Sequence, residues 1–259
     1  MNQVVGFSGT DDTKLTLPLY VKQLALPSVA ATNGKMVDVL TNEIYNNRQH
    51  KSLPKEFESE RILKEMCACD NWNVLIDSGA LIEGMSNREV VTKVLDLCPR
   101  FQTGIFFDDS NRLALIDRHG IVSQLNSSRP LDLFCFTYLD DIHTRGTDLP
   151  FPTSSRAFVT VAAGMTKDKL MQACMRMRKL VHGLHSVEFW GTSEVTMKMQ
   201  QMSHRQGLRE EDIKSVHIIE WVVENTIKAQ EEAIITYASQ GFHHYAADAG
   251  LKLLQENST

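Results

Sequence analysis

Residues 134–180, FCFTYLDDIHTRGTDLPFPTSSRAFVTVAAGMTKDKLMQACMRMRKL, constrain the fold more than any other part of the chain. Their order is strand, polar loop, second strand and short basic helix. An apolar, aromatic run over residues 133–139 leads straight into Asp140, Asp141, His143, Thr144, Arg145, Gly146, Thr147 and Asp148. Polar groups and a glycine just past a strand's carboxyl end are what open α/β sheets place at their ligand crevices. A solvated connecting loop has the same composition, and the next segment is what argues against it. Residues 156–163 form a second β-type run, and Thr166 then opens a helix with Asp168 in its first turn, which suits both capping and the helix dipole. Gln172, Arg176 and Lys179 follow at helical spacing, so a continuous helix presents them on one face, while Arg178 points elsewhere. Such a face could clamp a phosphate. The same helix also reads as ordinary and amphipathic, with Leu170, Met171, Cys174, Met175, Met177 and Leu180 turned to a core.

The flanking segments extend this pattern. A strand over residues 72–76 runs into Asp77, Ser78 and Gly79, and Ser86 caps a following helix, with Glu89 at the capping-box position. Strand, glycine turn and capped helix make the start of a βαβ unit. Residues 104–107 and 113–116 are apolar runs separated by DDSNR, which predicts a hairpin. Asp108 and Asp109 in that turn could bind Mg²⁺, but Asp and Asn are equally the residues that tight turns select. Upstream, Met36, Val37, Leu40, Ile44 and Tyr45 give a helical core stripe, and a short strand over residues 4–7 ends at a glycine turn. Residues 48–60 read as a loop leading to a helix over 57–69. Beyond Trp190 the periodicity becomes helical: residues 193–204, 210–240 and 245–255, punctuated by Gly207 and Gly241. Adjacent His243 and His244 point apart on a helix and do not chelate together.

Composition bounds the function classes. The 259 residues are 42% hydrophobic and 23% charged, enough for one substantial core or two small ones. A net charge of −5 carries no basic signature for nucleic acid. The five cysteines have no CxxC pair and no zinc-ligand spacing, so a reducing compartment is expected and no metal site is. No signal-like leader and no membrane-length apolar run is seen, which predicts a cytoplasmic or nuclear location without membrane contact. Cys135 and Cys174 raise the question of a thiol hydrolase, with His119 and Asp117 as nearby partners in sequence. Both cysteines nevertheless lie in apolar patterns typical of buried thiols.

HTRGTDLPF (residues 143–151) resembles motif V of superfamily two helicases, in the GRGTDI form of the SecA-like branch. QACMRMRK (172–179) is similar to motif VI, and GFSGTDD (6–12) to the motif III turn of the same branch. VLIDSGALIEGMSN, FDDSNRLALIDRHG, YLDDIHTRGTDL and the late IIEWVVENT and YASQGF resemble segments of very large eukaryotic proteins. Those proteins carry a SecA-like region and are commonly labelled ubiquitinyl hydrolases. The resemblance implies a second RecA-like lobe over residues 1–190, with a mostly parallel sheet and helices on both faces, followed by a helical appendage over 191–259.

It also implies roles. Arg176 and Gln172 would act in catalysis. Gly146, Asp148, Arg145, Lys179, Gly9, Thr10 and Asp11 would bind or sense phosphate, with Arg145 and Arg176 partly exposed at the carboxyl ends of adjacent strands. Where motif VI has glycines this chain has Met175 and Met177, and its last arginine position holds Lys179, which argues against an arginine finger. Neither a G-x-x-x-x-G-K-[ST] loop nor a motif II carboxylate is present. ATP with Mg²⁺ is therefore expected only if a first RecA-like lobe is supplied by the same or another chain. The alternatives are a thiol-dependent ubiquitinyl hydrolase acting on ubiquitin conjugates, and a degenerate lobe that binds another protein as a scaffold.

Overall fold

The computed structural model describes residues 32–42, 50–54, 58–125, 131–144, 146–202 and 207–256. The strand expected at residues 4–7, the turn carrying Gly9, Thr10 and Asp11, and Arg145 all lie outside them.

Among the described residues fourteen α-helices and β-strands follow one another: α1 (Thr32–Thr41), β1 (Lys51–Leu53), α2 (Ser59–Cys67), β2 (Val74–Ile76), α3 (Asn87–Leu97), β3 (Thr103–Phe107), β4 (Leu113–Asp117), β5 (Val122–Gln124), β6 (Cys135–Leu139), β7 (Arg156–Val161), α4 (Lys167–Cys174), β8 (Ser186–Thr192), α5 (Ser193–Gln201) and α6 (Ser215–Glu256). Among the described residues the sheet has eight strands in the order β1-β8-β7-β2-β6-β3-β4-β5. The pairings from β1 across to β3 are parallel, and the predicted hairpin adds β4 and then β5 antiparallel at one end. The chain thus has an α/β fold with a mostly parallel sheet and a helical C-terminal region.

Strands covered on both faces are near-continuous apolar runs. β2 is wholly apolar, β6 and β7 are apolar apart from Thr137, Tyr138, Arg156 and Thr160, and all three are buried almost throughout. Leu75, Phe136, Phe158 and Trp190 face α2 and α3 in one core. Val74, Ile76, Leu139, Val159 and Phe189 face α1, α4, α5 and the start of α6 in the other. In the first core the Trp72 ring sits 5.6, 5.5 and 4.9 Å from Phe101, Phe136 and Phe158. α3 begins at the predicted capping box, Ser86 Oγ accepting from Glu89 N while the Glu89 carboxylate accepts from Ser86 N. It lies so close on β3 that a Cβ at Gly104 would come within 2.2 Å of Val91 Cγ1.

Several features differ from the sequence reading, beginning with β1, which lies in the 48–60 stretch read as a loop. β6 and β7 are not neighbours, because β2 lies between them. α4 ends at Cys174, where three-residue turns, Arg176 N to Ala173 O and Met177 N to Cys174 O, replace helical bonding and swing Met177 and Leu180 into the core. α6 passes through Gly241 without a break, since a helical glycine costs only about 1 kcal/mol and no competing packing pulls the chain away. Its first turns supply Ile218, Ile219, Trp221 and Val222 to the sheet's own core. No described helix is long and apolar enough to cross a membrane.

The α3–β3 contact is directly testable. Gly104→Ala should overpack the interface and cost about 1–3 kcal/mol, read as a lower urea midpoint at unchanged m-value. Combining it with Val91→Ala should recover part of the loss. A midpoint unmoved by Gly104→Ala would contradict the close approach.

Candidate functional site

The chain leaves β2 toward the face that α3 covers and leaves β7 toward the face that α4 covers. Neighbouring parallel strands whose connections part in this way open a crevice at their carboxyl ends. Here the chain fills that crevice itself. A Cβ at Gly79 would stand 3.1 Å from backbone atoms of Val161 and Ala162, so only glycine lets the loop after β2 lie on the end of β7.

Asp77 organises this closure. One carboxylate oxygen accepts from Leu81 N at 2.9 Å and from Thr160 Oγ1 at 2.6 Å; the other accepts from Ile82 N at 3.0 Å and from the Tyr138 hydroxyl at 3.4 Å. Thr160 Oγ1 in turn accepts from Gly79 N, and Ser78 Oγ donates to Thr160 O at 2.7 Å. One buried side chain therefore joins the ends of β2, β6 and β7. Burial pushes the Asp77 carboxyl above the ordinary carboxylate range, while its hydrogen-bond donors pull the other way. Burial, reinforced by the charges of Asp77 and Asp140, also raises the Tyr138 phenol.

A second cluster stands beside it at the ends of β3 and β6. Asp140 lies 2.5 Å from His143 Nδ1 with one oxygen and accepts from Asn87 Nδ2 at 2.7 Å with the other. The His143 ring stacks on Phe107 at 3.9 Å and 3°, and its Nε2 meets Asn111 Oδ1 at 3.2 Å. A carboxylate that orients an imidazole is the arrangement of a general base, but Nε2 here is engaged by the turn between β3 and β4. Asp108 in that turn accepts from the backbone of Ser110 and Arg112, as a turn former does. Sequence had shown Asp140 and His143 as loop polarity. Asn87, Phe107 and Asn111 carried no signal, because each reaches the cluster across many residues.

The residues expected to handle phosphate are arranged differently. As the crossover helix between β7 and β8, α4 runs away from the carboxyl edge, so its end at Cys174 lies roughly 12 Å down the face, with Arg176 just beyond it. Arg176 is 3% exposed, where partial exposure was expected. Its Nε donates to Gln172 O, and its guanidinium donates to Thr147 O. Burial, helped by the Arg178 charge, lowers its pKa. The Gln172 amide donates to both Asp168 oxygens, at 2.9 and 3.0 Å, and its buried Oε1 finds no partner among the described residues. Lys179 donates to Phe151 O and Thr153 Oγ1, shortly before the start of β7. Asp148 is exposed and pairs with Arg178 at 3.0 Å. Gly146 has φ +75° and open space around it, so it serves the turn. The single-face reading of Gln172, Arg176 and Lys179 fails because α4 ends at Cys174. Thr166 makes no side-chain cap; Thr226 Oγ1 of α6 takes Lys167 N at 2.8 Å instead.

The two thiols raised as nucleophile candidates are packed as hydrophobes. Cys174 is wholly buried and its pKa is driven up by burial, and Cys135 sits with Ile105 and Leu125. The described residues include no group of three His, Cys, Asp or Glu able to hold a metal ion. Comparison with protein-family models, with curated proteins and with solved structures gave no match.

Asp77→Asn tests the closure. An amide has only one acceptor oxygen, so its NH₂ faces either Leu81 N–H or Ile82 N–H and leaves that donor unmet, at a cost of about 1–3 kcal/mol in urea unfolding. Because the folded carboxyl titrates above its unfolded value, the wild-type side chain contributes most below the ordinary carboxylate range and loses that contribution as pH rises through its folded pKa. The penalty of Asp77→Asn should therefore narrow with rising pH. A penalty that widens would contradict the upward shift, and a urea midpoint that Asp77→Asn leaves unmoved would contradict the closure.

Proposed function

We propose that this chain is the second lobe of a two-lobed, SecA-like nucleotide-hydrolysing module, and that it does not hydrolyse nucleotide alone. One observation carries the reading. The segment resembling motif V is tied to the segment resembling motif VI by the Arg176 guanidinium on Thr147 O, on one face of a mostly parallel sheet. In this reading Arg176 is a positioning residue that holds the 146–148 loop, and the loop rather than the arginine meets the first lobe.

The residues present do not make a triphosphate cradle on their own. No P-loop occurs in the sequence, Lys167 N at the start of α4 is taken by Thr226, and Arg176 is buried. No step through ATP or Mg²⁺ is assigned to them.

A second reading, a degenerate lobe serving as a protein-binding scaffold, is favoured by the same inward commitment of Arg176, Gln172 and Lys179. Millimolar MgATP titrated into the isotopically labelled chain separates the two. Hydrolysis by the chain alone should stay at background, and amide shifts at residues 140–148 should appear once a first lobe is supplied together with MgATP. Turnover by the chain alone would overturn the need for a first lobe, and the absence of any shift would leave the scaffold.

The ubiquitinyl hydrolase alternative needs an accessible thiolate. Buried Cys135 and Cys174 do not favour one. A ubiquitin-derived electrophilic probe is expected to leave the chain unlabelled. Labelling lost on mutating either cysteine would reverse that conclusion.

A further inference from the structure

α6 changes character along its length. Up to Val222 it is part of the core, whereas from Ile227 onward its large apolar side chains stand in solvent: Ile234 63%, Ile235 73%, Phe242 81% and Tyr245 78% exposed. At about 100° per residue, Ile227, Ile234, Ala238, Phe242, Tyr245 and Ala249 fall within one stripe roughly 80° wide and some 30 Å long. Phe242 and Tyr245 alone offer roughly 300 Å² of surface, already the size of patch that marks an interaction site.

The stripe is complementary to itself when a second copy is laid on it in the opposite direction. Between Ile227 and Lys252 the charged residues of the stripe are Glu231 and Lys252, equidistant from a point between Gly241 and Phe242. In an antiparallel pair centred on that point, Glu231 of each copy faces Lys252 of the other. The same register sets Ile234 against Ala249, Ala238 against Tyr245 and Gly241 against Phe242, so each of these three large side chains meets a small one. A parallel pair would oppose like charges and set Phe242 on Phe242. The register also starts the seam at Ile227, just past the packed turns at Trp221 and Val222, which keeps the two bodies at opposite ends. In the single chain Lys252 rests on Asp248 at 2.8 Å, a surface pair worth little and readily exchanged.

We propose that two copies of this chain associate through an antiparallel pairing of the exposed half of α6, centred between Gly241 and Phe242 with Glu231 and Lys252 paired across the seam. The test is light scattering and sedimentation of the full chain across micromolar concentrations. The wild type should be dimeric. Phe242→Asp, at an exposed position, should give a folded monomer with an unchanged circular dichroism spectrum. Glu231→Lys and Lys252→Glu should each weaken association on the order of tenfold. Their combination in one chain, or mixing of the two single variants, should restore it. A wild type that stays monomeric, a dimer that survives Phe242→Asp, or charge swaps that fail to restore association would overturn the proposal.

Discussion

The closure made by Asp77 is the constraint on which the rest of the carboxyl edge depends. A buried carboxylate survives only when its lone pairs are filled, and here the donors come from the two backbone amides of the following loop and from side chains of two flanking strands. That requirement fixes where the loop after β2 must run. It places Gly79 against the end of β7, sends the chain toward Ser86 and the capping box of α3, and holds the Tyr138 hydroxyl on the Asp77 carboxylate. The crevice that this topology opens is thereby filled from within. Polar chemistry is displaced outward to the Asp140–His143 cluster and to the loop that Arg176 holds.

Arg176 shows why residue type alone does not reveal a role. An arginine after a β-strand crossover looks like a phosphate ligand, yet here it lies well down the face, where the peptide carbonyls of residues 147 and 172 take its donors. A guanidinium used this way orders a loop and is unavailable to an anion. Lys179 is spent similarly on Phe151 and Thr153. These commitments support the proposal that the chain acts as one lobe of a larger module.

The strands and the capping box were legible because their signals are local: continuous apolar runs for strands buried on both faces, and Ser86 with Glu89 for the start of α3. The hairpin of β3 and β4 followed from the turn residues between them. Strand order was not legible, since β2 enters between β6 and β7 through contacts set by shape rather than by neighbouring residues. The end of α4 escaped notice because no glycine or proline marks residues 175–179; the turn is driven by burial of Met177 and Leu180. Gly241 misled in the other direction, its small penalty being absorbed by a long helix. Asp77 looked like a turn former because its partners Tyr138 and Thr160 lie 61 and 83 residues away.

Native-state hydrogen exchange on the amides of Leu81 and Ile82 tests this account most directly. If Asp77 locks the loop to the ends of β2, β6 and β7, those two amides should exchange only with the opening that also releases the strand amides, and so share their free energy and their response to denaturant. Rapid exchange at Leu81 and Ile82, while β6 and β7 stay protected, would show that the loop opens on its own and that Asp77 does not hold the edge together.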